Sequence, residues 1–143
     1  FGWRGYLLPK LLPLGEKKAY IYSGIIWGLW HAPIIAMGHN YGLDYPGAPW
    51  SGILMFVWDT FIYGTFFCWV SLRAKSVWPA VIGHAFLKGT ASAVGFFTAG
   101  SPNPLLGPLV AGVIGSAGFA IATALIFLRG IPKAEAETTE SEV

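Results

Sequence analysis

Four stretches of about twenty residues each are apolar almost throughout: Ala19 to Met37, Trp50 to Val70, Val77 to Phe97 and Leu105 to Leu128. Together they hold only four side chains that can carry charge near neutral pH, His31, Asp59, His84 and Lys88. A bilayer core of about 30 Å is crossed by roughly 20 helical residues rising about 1.5 Å each, so every stretch has the length of a span. The stretches between them, Gly38 to Pro49, Ser71 to Ser76 and Thr98 to Pro104, are marked by the Gly, Pro, Asn, Asp and Ser that break helices. Composition points the same way, since 11% of residues are charged and mean hydropathy is +0.58, against about 25% charged in a soluble domain. A soluble globular domain, a disordered chain and a coiled coil are all poor matches. The expected fold is all-α, a polytopic transmembrane helix bundle of about four spans over residues 1–130. Residues 131–143 carry four of the seven acids and no apolar period, and are expected to form an acidic, disordered tail.

Lys and Arg outside the spans number four before the first, none in the first loop, two in the second, none in the third and two after the last. That alternation follows the positive-inside rule and puts both ends of the chain in the cytoplasm. The basic groups are spread along membrane edges and form no patch, so nucleic acid is not an expected partner; membrane lipid is. Cys68 has no second cysteine to pair with, and no C-x-x-C site exists.

An ionisable group in hydrocarbon costs roughly 3 kcal/mol on insertion scales, so its default reading is functional. Counted from the cytoplasmic edge, His84 lies about 10 Å and His31 about 18 Å deep, close enough to share one cavity if a helix tilts. An imidazole there can orient water, donate to an oxyanion or bind metal. The plainer alternative is a pair of neutral core histidines hydrogen-bonded across helices, worth about 1 kcal/mol each. Asp59 and Lys88 both fall about 16 Å deep and have opposite sign, so a buried ion pair is expected. Lys88 is also one turn beyond His84 and shares its face. His39 lies in a polar loop and is read as solvated.

Other chemical motifs are missing: the chain has no H-E-x-x-H, P-loop or G-x-S-x-G. Gly112, Ser116, Ala120 and Ala124 recur every fourth residue in the last stretch, a ridge of small side chains that suits close helix packing.

Three ordered motifs resemble the CPBP intramembrane proteases, a family that includes type II CAAX prenyl endopeptidases and bacteriocin-processing or self-immunity proteins. Phe1-Gly2-Trp3-Arg4-Gly5-Tyr6-Leu7-Leu8-Pro9 resembles the continuation of the family's E-E-x-x-x-R motif, with Arg4 as its arginine. The two glutamates would fall on the positions immediately before Phe1, so the chain is read as the carboxy-terminal portion of a longer protein. Trp27-Gly28-Leu29-Trp30-His31 resembles F-x-x-x-H, with Trp in place of Phe. His84-Ala85-Phe86-Leu87-Lys88 resembles H-x-x-x-N, with Lys88 where the family usually has Asn. The resemblance runs from Phe1 to about Ala91.

That resemblance implies an endopeptidase acting on membrane-anchored peptides or proteins, CAAX-prenylated or leader-peptide substrates among them, in a bacterial or archaeal plasma membrane. A glutamate aided by the residue matching His31 would activate water, the residue matching His84 would stabilise the oxyanion, and Arg4 would orient the glutamates. The isolated chain, lacking a general base, is expected to be inactive. Lys88 brings a cation to the oxyanion site, where Asp59 competes for it. No cofactor is firmly implied; zinc held by His31 and His84 with a glutamate is an open alternative. Two other functions stay open: a non-catalytic binding or immunity protein on the same scaffold, and a small transporter lined by the four ionisable residues.

Overall fold

A computed structural model of the 143-residue chain describes residues 1–129, side-chain surroundings at positions 92 and 95 apart. The expected acidic tail at 131–143 lies outside the described residues. The chain opens with a π-helical turn, Gly2–Leu7, which runs into a short helix α1, Leu8–Leu11, and a 3₁₀ turn, Leu12–Leu14. Four longer helices follow: α2, Glu16–Ala36; α3, Trp50–Arg73; α4, Trp78–Phe96; and α5, Val113–Leu128. Among the described residues there is no strand.

The first three apolar stretches become α2, α3 and α4 with ends within three residues of those expected. Local chemistry explains the limits. Glu16 sits in the first turn of α2, where its charge complements the helix dipole. Gly38 reverses the chain just beyond α2 with φ of 94°, a conformation that side chains with a Cβ rarely adopt. Pro79 is the second residue of α4, where its missing N–H costs nothing.

The fourth stretch departs from expectation, because α5 begins at Val113 and the residues from Leu105 to Gly112 form a strap of turns. Asn103 accounts for the difference. Its Oδ1 accepts from the Leu105 and Leu106 N–H groups at 2.9 and 3.1 Å, which closes a local turn and competes with helix initiation. Pro108 offers no donor, and glycines at 107 and 112 further disfavour a helix. With 16 residues, α5 is about 24 Å long. Of the described helices, only α3 is both long and apolar enough to cross a membrane; α5 is apolar but shorter.

The core is built on the antiparallel pair α2 and α3, which contact one another along most of their length. Gly24 and Gly28 make this possible. A Cβ on Gly24 would stand 2.6 Å from the Phe61 Cα, and one on Gly28 would stand 2.7 Å from the Val57 Cα. Helix backbones can approach this closely only where side chains are absent. Three apolar clusters line the pair in sequence: Leu8, Ala19, Tyr20, Cys68 and Ile126 at one end, Trp27, Tyr63, Phe67 and Ala80 in the middle, Ile35, Tyr41, Tyr45 and Phe56 at the other.

On the other side of α3, α5 packs with Ser116, Thr123 and Ile126 buried, and the Thr123 hydroxyl donates to the Ile62 carbonyl at 3.0 Å. The four-residue ridge holds at Gly112 and Ser116 but Ala124 is exposed. A spacing of four outruns the 3.6-residue turn, so the ridge winds off the contact face after two turns.

Candidate functional site

Trp27 is the hub of the middle layer. Buried on α2, it has the Arg4 guanidinium over its ring at 4.8 Å and the His84 ring at 5.4 Å from its centroid. His31, one turn further along α2, brings its Nδ1 to 2.8 Å from the Trp27 carbonyl. With the proton on Nδ1 this is a donated hydrogen bond, and Nε2 is left with its lone pair available. The His31 ring is held edge-on by Trp30 and tilted against Phe56, each at 4.8 Å.

His84 comes from α4. Its ring lies nearly parallel to Phe67, 9° from coplanar at 6.0 Å. Gly83 beside it lets α4 approach α3 there, since a Cβ would meet the Phe67 ring at 2.9 Å. Arg4 is fixed from the opposite side: its Nη2 donates to the Gly64 carbonyl at 3.3 Å, its charge also faces Phe67 at 5.6 Å, and its buried Nε has no hydrogen-bond partner among the described residues. A buried guanidinium donor of that kind is poised to receive an acceptor.

His31 and His84 stand on the wall of one cavity of about 240 Å³, and Lys88 and Asp59 line it too. A second cavity of about 370 Å³ lies on the other side of His84, reached by Phe1, Trp3 and Arg4 and again by Lys88. His84 and Lys88 therefore separate the two spaces. All four residues singled out in the motifs, Arg4, His31, His84 and Lys88, are gathered round Trp27 or the cavities beside it. His39 is exposed and lines neither.

The expected Asp59–Lys88 ion pair is not formed. Asp59, 1% exposed, meets the Tyr41 hydroxyl at Oδ2, 3.2 Å away, while Oδ1 has no hydrogen-bond partner among the described residues. Lys88 is exposed and faces the cavity from α4. Equal depth along two helices says nothing about which way each side chain turns, and Asp59 is turned toward the loop after α2. Burial first, and then the Asp59 carboxylate, raises the Tyr41 hydroxyl above the usual tyrosine range, so Tyr41 stays a donor.

Sequence reasoning passed over two tyrosines and the strap they hold. Tyr63 lies one turn beyond Asp59 on the same face of α3, a spacing visible in the sequence. Its hydroxyl donates to the Val110 carbonyl at 2.7 Å. Tyr41 likewise donates to the Ala111 carbonyl at 2.8 Å. Those two bonds hold the strap over the cavity, where Leu109, Val110 and Ala111 form part of its lining. No residue pattern in the strap signals this. Among the described residues, no group of three His, Cys, Asp or Glu side chains converges to hold a metal ion; zinc at His31 and His84 would need ligands from elsewhere.

With this geometry, the chain belongs to a family of membrane endopeptidases: the type II CAAX prenyl endopeptidase Rce1-like family matches residues 1–90. A relative, CAAX prenyl protease 2 of Methanococcus maripaludis, is 34% identical over 90 residues, which cover 61% of this chain and 33% of that protein. The chain thus spans about a third of that relative's length. No solved structure matches. The match takes in Arg4, His31, His84 and Lys88 and stops before the strap.

Proposed function

We propose that the protein containing this chain is an intramembrane endopeptidase and that the chain supplies its histidine-bearing portion. The observation that carries this reading is the meeting of His31 from α2 and His84 from α4 on one cavity, both against Trp27. The bundle is read as crossing the membrane with α2 to α5, both ends of the described chain on the cytoplasmic side. Substrates are membrane-anchored peptides or proteins, with prenylated CAAX sequences as the first class to try, since the relative is named for them.

In this scheme a glutamate of the family's first motif is the general base, and His31, with Nε2 free to accept, helps orient the attacking water. Arg4 is a positioning residue: its buried Nε, without a hydrogen-bond partner among the described residues, is a donor that such a glutamate would accept from. His84 and Lys88 supply donors toward the oxyanion as the carbonyl becomes tetrahedral, and preorganised donors of this kind are worth a few kcal/mol, about 10²-fold or more in rate.

The test is cleavage of a prenylated CAAX peptide by the full-length protein in liposomes. His31→Ala and His84→Ala should each abolish cleavage with expression intact; activity retained in either removes that residue's role. Lys88 favours a second reading, because a cation in place of Asn suits anion binding without turnover: a non-catalytic membrane or immunity protein that holds a peptide in the same cavity. Saturable peptide binding by the full-length protein with no cleavage would select it.

A further inference from the structure

A carboxylate inside a membrane-type bundle is normally matched by a cation or by a full set of donors. Asp59 has neither. Oδ1 is buried and without a hydrogen bond among the described residues. The donor at Oδ2 is itself contested, because the Tyr41 hydroxyl has one proton and lies nearer the Ala111 carbonyl, 2.8 Å, than the Asp59 oxygen, 3.2 Å. The remaining polar partner is the Ser116 hydroxyl, which is shared between the Asp59 carboxyl and the Val113 carbonyl 3.3 Å away, so no donor is committed to Asp59 alone and no cation reaches it. Yet Asp59 lines the cavity that holds both histidines, and Lys88 lines the same cavity without reaching it.

We propose that Asp59 is the floor of a specificity subsite in this cavity, taking a primary ammonium group carried by a substrate side chain. Its chemistry calls for a partner of opposite sign, which reaches the buried Oδ1 as the side chains over it shift, and Phe56, Leu87 and Leu109 on the cavity wall are apolar, suited to the methylene stem of such a side chain. A cavity of about 240 Å³ has room for a butylammonium chain. Lys88, exposed on the opposite wall, excludes cations from its own side and so orients the ligand. The substrate class that follows is a peptide with lysine close to the bond that is cut. That last step rests on the endopeptidase reading; the ammonium site does not.

Two measurements on the full-length protein in detergent keep the two apart. In the first, tryptophan fluorescence is titrated with n-butylammonium and with n-butanol, Trp27 being part of the cavity wall. Butylammonium should saturate at a concentration at least 10-fold lower than butanol, and Asp59→Asn, checked for folding by its thermal transition, should bring the two together. Equal binding in the unmodified protein overturns the subsite without reference to any variant, as does a preference that survives in a folded Asp59→Asn protein. In the second, two peptides that differ only in lysine or norleucine beside the scissile bond are compared. Asp59→Asn should lower the lysine-to-norleucine ratio of kcat/KM by about 10-fold. Asp59-dependent ammonium binding with neither peptide cleaved would sink the endopeptidase reading and leave the subsite standing. Ammonium preference in titration with an unchanged cleavage ratio would overturn the substrate assignment and assign the site to another amine, such as an aminolipid headgroup.

Discussion

The cavity has two walls of different construction. On one side α2 meets α3 backbone to backbone, with Gly24 against Phe61 and Gly28 against Val57. On the other side α4 and the strap are hung on side chains: the His84 and Phe67 rings, and two tyrosine hydroxyls on the Val110 and Ala111 carbonyls. Most of the outer face of α4, including Ile82 and Phe86, is exposed, and a Cβ on Gly89 would meet nothing within 4 Å. A glycine contact between backbones has no slack, whereas a ring can turn and a hydroxyl can let go. His31 and Asp59 belong to the stiff wall, His84 and Lys88 to the adjustable one. The distance between the two imidazoles is therefore set by the looser half of the molecule.

Trp27 is the side chain that couples the walls, so its removal should have the largest effect. Trp27→Ala leaves a void between Arg4, His31 and His84, and is expected to cost on the order of 3 kcal/mol, as large buried aromatic truncations do. Denaturant or thermal unfolding of the full-length protein would measure it. A loss below about 1 kcal/mol would mean that α4 is held by contacts other than this ring.

Next come paired glycine substitutions, one on each wall. Gly28→Ala drives a methyl group into the Val57 backbone and should destabilise by about 1–3 kcal/mol, the usual range for overpacking. It should also displace His31, three residues on, and lower cleavage. Gly89→Ala on α4 has open space around it and should stabilise by about 0.5–1 kcal/mol through helix propensity alone. Opposite signs in the two unfolding curves sharpen the contrast; like signs break it.

These residues also show what sequence could and could not convey. Three of the four long helices follow directly from hydropathy and from Gly and Pro punctuation, because a long apolar run bounded by helix breakers has few other ways to satisfy its own backbone. The Gly24-x-x-x-Gly28 pair was equally legible, as a small-residue motif for close helix approach, and passed unread beside the more obvious Gly112 ridge. The start of α5 was not: Leu105 to Gly112 is apolar enough to continue a helix, and only the Asn103 side chain folding back on two N–H groups decides otherwise. For the site, the motif histidines and Lys88 were readable as a set. Asp59 was readable only as a charge in need of a partner. Its partner, Tyr41, is in a loop 18 residues away, and nothing in the spacing says that the hydroxyl reaches in before the lysine does.

The smallest expected effect probes the adjustable wall alone. Tyr63→Phe keeps the ring, with its edge-on contact to Phe119 at 4.6 Å, and deletes one hydrogen bond of 2.7 Å to the Val110 carbonyl. The loss should be about 1 kcal/mol, too little to unfold the bundle but enough to raise the open population of the strap about five-fold, since about 1.4 kcal/mol corresponds to a factor of ten. Hydrogen exchange should register this as faster exchange at Gly107 and Gly112, whose amides donate within the strap, with the amides of α2 and α3 unchanged. Tyr41→Phe should reproduce the effect through the Ala111 carbonyl and also remove the shared hydroxyl beside Asp59. If exchange rises in α3 by the same factor as in the strap, the two walls unfold as a single unit and the difference between them is one of appearance. If it rises in the strap alone, the strap moves independently of the α2 and α3 scaffold, and access to His31 and Asp59 is governed by two tyrosine hydroxyls.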